Sequence, residues 1–316
     1  MKILVTGASG FLGSWICRVL SANHEVIALL RDGSDQYRLG GIDNLKIVHS
    51  DDWVNSITRL KPEVVIINDW WGVGNKHRND PKQFENLIRF ESTVDAAIKA
   101  EVKVIIGVGS QAELGPVSGV ITESQADNPT TEYGRAKAAA HKLLKDKTSN
   151  SDIRSIWFRV FSTYGALDSG GWLITDTIES LLNDKEIPLT QGEQIWSYLH
   201  AYDLANSLNY IIKDNQITGT VNIGNPHVTT IKEVVSEIGA ILEKSHLLKF
   251  GEVPYREDQV MELRPACEKL TSIGWSPVVT LYAGLKHTLE WMQGKATNLE
   301  IKDSLALKLK LPIRIK

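Results

Sequence analysis

Through its first half the chain alternates short apolar, β-branched runs with longer amphipathic stretches. KILVTG, HEVIALL, LKIVHS, EVVIIN, KVIIGVGS and IRSIWFRV each read as a strand, and the segments between them as helices. The runs are apolar at successive positions, as strands are when both of their faces are covered by helices. The pattern predicts an α/β fold on a doubly wound parallel sheet. Ligands of such sheets bind in the crevice beyond the carboxyl ends of the strands. After about Gly165 the rhythm gives way to glycine- and proline-punctuated segments such as ALDSGGW, KEIPLTQGEQ and FGEVPYREDQ. These predict a smaller, irregular unit that closes over the crevice and sets specificity.

Charge and cysteine content narrow the function classes. The 316 residues carry a formal net charge of -3 with no lysine and arginine cluster, which argues against a nucleic-acid partner. Cys17 and Cys267 stand far apart, without a Cys-x-x-Cys spacing or a histidine pair beside them, so no metal site is expected and a reducing, cytoplasmic setting is. No run of about 18 apolar residues occurs, and neither a signal peptide nor a membrane partner is expected. The basic, amphipathic tail NLEIKDSLALKLKLPIRIK reads as a packed or dangling end.

Two motifs carry chemistry. In KILVTGASGFLGSWICRVL, Gly7, Gly10 and Gly13 fall between a strand and a helix. This is the context in which glycines make a tight turn, admit a pyrophosphate to the backbone and let helix and strand pack closely, with the helix N-terminus facing the phosphates. Thr6, Ser9, Phe11 and Leu12 complete the loop as candidate cofactor contacts. In NPTTEYGRAKAAAHKLL, Tyr133 and Lys137 are one helical turn apart at the entrance to an alanine-rich helix. The positive charge so placed is expected to stabilise phenolate and lower the phenol pKa for general acid/base work. Ser110, at the end of the run KVIIGVGS, is the third candidate catalytic residue.

The spacing Thr6-Gly7-x-x-Gly10-x-x-Gly13 and the order of Ser110, Tyr133 and Lys137 resemble the extended short-chain dehydrogenase/reductase family, whose members act mostly on nucleotide sugars. ITESQADNPTTEYG, FRVFSTYG, SYLHAYDLANSL and SIGWSP are similar to further family elements, so the resemblance covers most of the chain. It implies a Rossmann domain from residues 1–165 and 196–225 and a smaller α/β substrate domain from 166–195 and 226–316. Ser110, Tyr133 and Lys137 fall on the catalytic triad, Lys137 also holding the nicotinamide ribose, and Phe161 lies near the nicotinamide. His200 and Asp203 are expected to pack and cap.

The cofactor and substrate follow from the resemblance position by position. Where NAD-binding members end the second strand with a carboxylate, this chain has Leu30 and then Arg31, whose fork suits a 2′-phosphate. NADP(H) is favoured, with NAD(H) the alternative if Asp32 is the ribose ligand. Asp51 matches the position that hydrogen-bonds the adenine amino group, and Asp52 is expected to cap the next helix. The nucleotide-sugar substrate is expected at Trp71, Ser110, Gln111, Trp172, Trp196 and Arg256. Arg256 matches one diphosphate-contacting arginine, whereas Trp196 stands where the other is usual. The family's dehydratases carry an Asp-Glu pair directly after the strand-end hydroxyl residue. Here Gln111 and Ala112 follow, and Glu113, one residue on, is expected to face away. Ketone reduction without dehydration is the expected activity, a 4-epimerase with retained NAD the alternative, and a dinucleotide-sensing protein without chemistry a more distant one. A homodimer is left open.

Overall fold

All six runs form strands in the structure, a computed structural model that describes residues 1–257, 259–295, 299 and 311–312. Most of the basic tail lies outside those residues. The strands are β1 (Lys2–Thr6), β2 (Glu25–Leu30), β3 (Lys46–His49), β4 (Val64–Ile67), β5 (Val104–Ser110) and the strand Arg154–Val160. A seventh, Gly219–Ile223, adds the far edge beyond the six. All neighbours pair in parallel, in the spatial order β3, β2, β1, β4, β5, Arg154–Val160, Gly219–Ile223. The chain runs outward from β1 in one direction and then from β4 in the other. The loops after β1 and β4 therefore diverge and open a crevice between them, which is the switch point of a doubly wound sheet.

Strand alternation explains the two apolar layers. Ile3, Val5, Val26, Ala28, Ile66 and Ile106 turn to one face and pack with Trp15 and Leu20 of α1 (Phe11–Leu20) and with Leu204 and Leu208 of the helix Ala201–Lys213. Leu4, Ile27, Leu29, Val65 and Ile105 turn to the other. There they meet Ile57 of α2 (Trp53–Leu60), Val94 of α3 (Glu85–Lys99) and Leu144 of α4 (Glu132–Thr148). Each of these side chains is buried, which stabilises the fold by roughly 1.5–3 kcal/mol per large residue. Burial on both faces is why the runs were apolar throughout.

The second half is irregular, as its glycines and prolines suggested. Pairs of two- or three-residue strands, Ile187–Leu189 with Leu248–Phe250 and Ile195–Trp196 with Thr229–Thr230, are tied to the helices Leu173–Leu182, Ile231–Ile241 and Leu281–Met292. Trp275, Leu285 and Trp291 join the apolar layer under α1, so the core continues from the sheet into this half. Among the described residues no helix is long and apolar enough to cross a membrane.

Candidate active site

The loops at the carboxyl ends of β1, β2, β4 and β5, with the irregular half above them, enclose a crevice of about 1120 Å³. At its cofactor end Gly7 turns the chain with φ +61°, and a Cβ there would meet the Asp69 backbone at 2.7 Å. Gly13 lies equally close to the turn, since a Cβ would stand 2.1 Å from the Gly7 carbonyl oxygen. Helix α1 begins at Gly10 with no side-chain cap and no acidic residue in its first turn, leaving its leading amides and positive dipole end open to the crevice. That donor set fits a dinucleotide pyrophosphate.

Gly7, Ser9, Gly10, Phe11, Leu12, Arg31 and Phe161 line the crevice. Thr6, Gly13 and Asp51 are not in its wall. Thr6 is fully buried, and its hydroxyl donates to Asp69 Oδ1 at 2.6 Å and accepts from the Asn68 amide, tying β1 to the end of β4. Asp51 accepts the Asp32 amide at 3.4 Å. Asp52 caps α2, accepting from the Asn55 amide at 3.0 Å, as its position suggested.

At the other end Ser110, Tyr133 and Lys137 converge on one wall. Thr131 caps α4, and Tyr133 and Lys137 lie on its first turns, their side chains almost wholly buried. The electrostatics differ from expectation. Lys137 Nζ donates to the Val108 carbonyl oxygen at 2.7 Å and lies 3.8 Å from the centre of the Trp70 ring. Burial pushes its pKa down to about 7 against the pull of Glu113 and Asp69. The Tyr133 phenol is raised from its ordinary value, first by burial, with Ser110 and then Arg78 pulling it back. The lysine ammonium is engaged by Val108 and Trp70 in this arrangement.

Glu113 is turned away from the crevice, within a short 3₁₀ turn (Gln111–Leu114) rather than an extended segment. It is fully buried and accepts from the Ser110 amide at 2.6 Å and from Trp157 Nε1 at 2.8 Å. Arg159 Nε lies 3.3 Å away and its Nη2 lies 3.1 Å from Asp127. Glu113, Asp127 and His141 are close enough to share an ion, and the Arg159 guanidinium is paired with both carboxylates.

The substrate candidates Trp71, Gln111, Trp172, Trp196 and Arg256 all border the crevice. Trp196 Nε1 donates to Ser162 Oγ at 2.6 Å. Trp71 is 40% exposed and leans on His77, whereas Trp70 is the indole at the chemistry, edge-on to Tyr133 at 6.4 Å and hydrogen-bonded to Gln83 at 2.9 Å. The sequence pointed to both indoles, Trp70 and Trp71, at the mouth of the crevice, but not to Arg78. The doubled tryptophan beside the switch-point strand was the signal for the indoles, while Arg78, in the polar stretch GNKHRNDP, offered none. Four crevice-lining side chains, Trp53, Arg78, Gln111 and Gln194, carry a buried polar atom with no hydrogen-bond partner among the described residues. A bound ligand or an ordered water would complete their bonding.

Comparison with known proteins agrees with this geometry. The model of the NAD dependent epimerase/dehydratase family matches residues 3–224. A UDP-glucose 4-epimerase of Halalkalibacterium halodurans is 25% identical, over 92% of this chain and 95% of that protein. A dTDP-6-deoxy-L-talose 4-dehydrogenase (NAD(+)) of Aggregatibacter actinomycetemcomitans is 23% identical, over 75% of this chain and 90% of that one. Among solved structures, the UDP-glucose 4-epimerase of Thermus thermophilus in complex with NAD superposes with a TM-score of 0.81 at 20% identity, covering 93% of this chain and 99% of that one.

Proposed function

This chain belongs to the NAD dependent epimerase/dehydratase family, and on that footing we propose that it is an NADP(H)-dependent oxidoreductase that reduces the 4-keto group of a nucleotide-linked 6-deoxy sugar. The observation that carries the reading is the composition of the catalytic wall. Ser110 and Tyr133 face the crevice together while Glu113, the nearest carboxylate in the chain after Ser110, is withdrawn into an ion pair with Arg159. A wall of that kind can protonate the oxygen of a ketone whose carbon accepts a hydride, but has no carboxylate beside Ser110 to eliminate water.

Bound NADPH supplies the hydride. The residues of the chain do the rest. The leading amides of α1 hold the pyrophosphate. Arg31 takes the 2′-phosphate; it and Ser34 border the crevice whereas Asp32 does not, which supports NADP over NAD. Ser110 Oγ steadies charge on the substrate oxygen, and Tyr133 gives that oxygen its proton. Trp172, Trp196 and Arg256 border the half of the crevice where the nucleotide and sugar are proposed to sit.

A panel of nucleotide-linked 4-keto-6-deoxysugars, assayed with NADPH and NADH, tests this reading. Oxidation of NADPH with at least one of them is expected. A second reading, a 4-epimerase, is favoured by the likeness to UDP-glucose 4-epimerases. Purified protein carrying a dinucleotide that does not exchange, and interconverting nucleotide-hexoses with no added cofactor, would establish it instead.

A further inference from the structure

Trp70 meets both residues of the first turns of α4. Lys137 Nζ lies 3.8 Å from the centre of its ring, well inside the range of a cation–π contact. The Tyr133 ring stands at 88° to it, with 6.4 Å between the ring centres. The indole is fixed through its own N–H, which donates to Gln83 Oε1 at 2.9 Å. Gln83 is fully buried and donates in turn to the Gly72 and His77 carbonyls at 2.8 and 3.0 Å. Asn86 adds a donor to Gln83 Oε1 at 3.3 Å and accepts from the Trp71 amide at 2.9 Å.

The Lys137 ammonium has reason to need that face. It is buried, and burial drives an ammonium toward its neutral form. The acceptor of its hydrogen bond is the Val108 carbonyl, which carries no charge. Two carboxylates favour the ammonium from nearby, Glu113 in the turn after β5 and Asp69 at the end of β4. The first is paired with Arg159, and the second accepts from Thr6 and lies 3.8 Å from Arg89. Arg78, the other cation on this side, stands 5.3 Å from the centre of the Tyr133 ring. Among the described residues no carboxylate forms an ion pair with Lys137.

We propose that Trp70 is a positioning residue of the catalytic wall, whose π face keeps Lys137 charged in its buried site while the ring, pinned by Gln83, holds ammonium and phenol in fixed relation. The inference rests on the acid/base reading of Tyr133 given above and adds the residue that acts through its lysine. When the phenol gives its proton to the substrate oxygen, its O–H bond breaks and a phenolate remains. A protonated Lys137, one helical turn along α4, stabilises that phenolate, and a neutral amine does not.

The test alters the charge distribution of the ring and leaves its shape nearly constant. Tryptophan bearing one, two and three ring fluorines, placed at position 70, withdraws electron density from the π face in steps and weakens the cation–π contact accordingly. The ¹³C shift of the lysine ε-carbon reads the titration without cofactor or substrate, the Lys137 signal being identified by its loss in Lys137→Met. Each fluorine is expected to move the titration to lower pH. Trp70→Leu should lower it by about one pH unit, the size of a buried cation–π contact, and Trp70→Phe by less. The alkaline limb of the kcat profile should move down in the same order, with KM for the sugar little changed. A Lys137 titration that stays put along the fluorinated series overturns the proposal, and so does a loss confined to KM, which would make Trp70 a wall of the sugar site. Full turnover in Tyr133→Phe would instead overturn the acid/base reading, a result separate from the titration because that needs no turnover.

Discussion

Gly134 and Ala112 stand so close that a Cβ on the glycine would lie 2.3 Å from the Ala112 carbonyl oxygen. The contact presses the first turn of α4 against the turn that follows Ser110, and thereby holds Tyr133 beside Ser110. Alanine is the better helix former by about 1 kcal/mol, but here the backbone would have to give way, at roughly 1–3 kcal/mol. Gly134→Ala is expected to lower the melting temperature slightly and turnover more than tenfold. Thermal unfolding and steady-state kinetics on one preparation check both.

Removing the phenol proposed as proton donor should separate chemistry from binding. Tyr133→Phe is expected to cut turnover by about 10²–10⁴ and to leave dinucleotide affinity nearly unchanged, because the phenol is not among the groups that hold the pyrophosphate. Fluorescence titration beside kcat measurement decides the matter, and substantial residual turnover would make Tyr133 structural.

The proposed preference for NADP(H) rests on one side chain. Arg31→Ala should weaken NADPH by roughly 1.5–3 kcal/mol, the range for a charge-assisted hydrogen bond, and change NADH little. Equal losses for the two would place the 2′-phosphate elsewhere.

With Gln111 and Ala112 following Ser110 and Glu113 withdrawn, incubation with a nucleotide-linked glucose and oxidised cofactor is expected to give no 4-keto-6-deoxy product. Its appearance, detected by absorbance in alkali, would mean that an acid/base pair has been recruited from elsewhere in the crevice.

Acid should unfold the protein through two buried imidazoles. His200 and His287 sit in edge contact, 5.4 Å between ring centres, with Trp15 packed against both. Burial lowers His287 from 6.5 to about 4, and His200 is lowered well below its ordinary value. The unfolded chain binds protons at these sites below about pH 6.5, whereas the folded His287 does not until about pH 4. The stability is therefore intact above pH 6.5 and is lost as the pH falls through that window. His287→Leu is expected to flatten the slope of unfolding free energy there by about 1.4 kcal/mol per pH unit, measurable by urea titration at several pH values.

Much of this was legible from spacing. Six strands announced themselves because both faces of each are covered, and the glycine loop and the Tyr133-Lys137 turn sit within single elements, where sequence separation determines distance. The edge strand Gly219–Ile223 was not among the six runs, because glycine and asparagine interrupt its apolar positions. Trp70 and Arg78 reach Tyr133 through a loop shaped by Gln83, whose amide bonds the Gly72 and His77 carbonyls, and by Asn86, which bonds the Trp71 backbone. Those bonds have no local signature. Nor did the sequence show that Lys137 donates to the Val108 carbonyl, since that depends on its rotamer.

The shared crevice has a kinetic consequence. On the proposed reading its dinucleotide and sugar ends are not separate rooms, since Ser110, Tyr133 and Lys137 line one crevice. In one such crevice both ligands would have to be present together for hydride to pass between them. Initial rates against the two ligands should intersect as a sequential mechanism requires, with no parallel, ping-pong pattern.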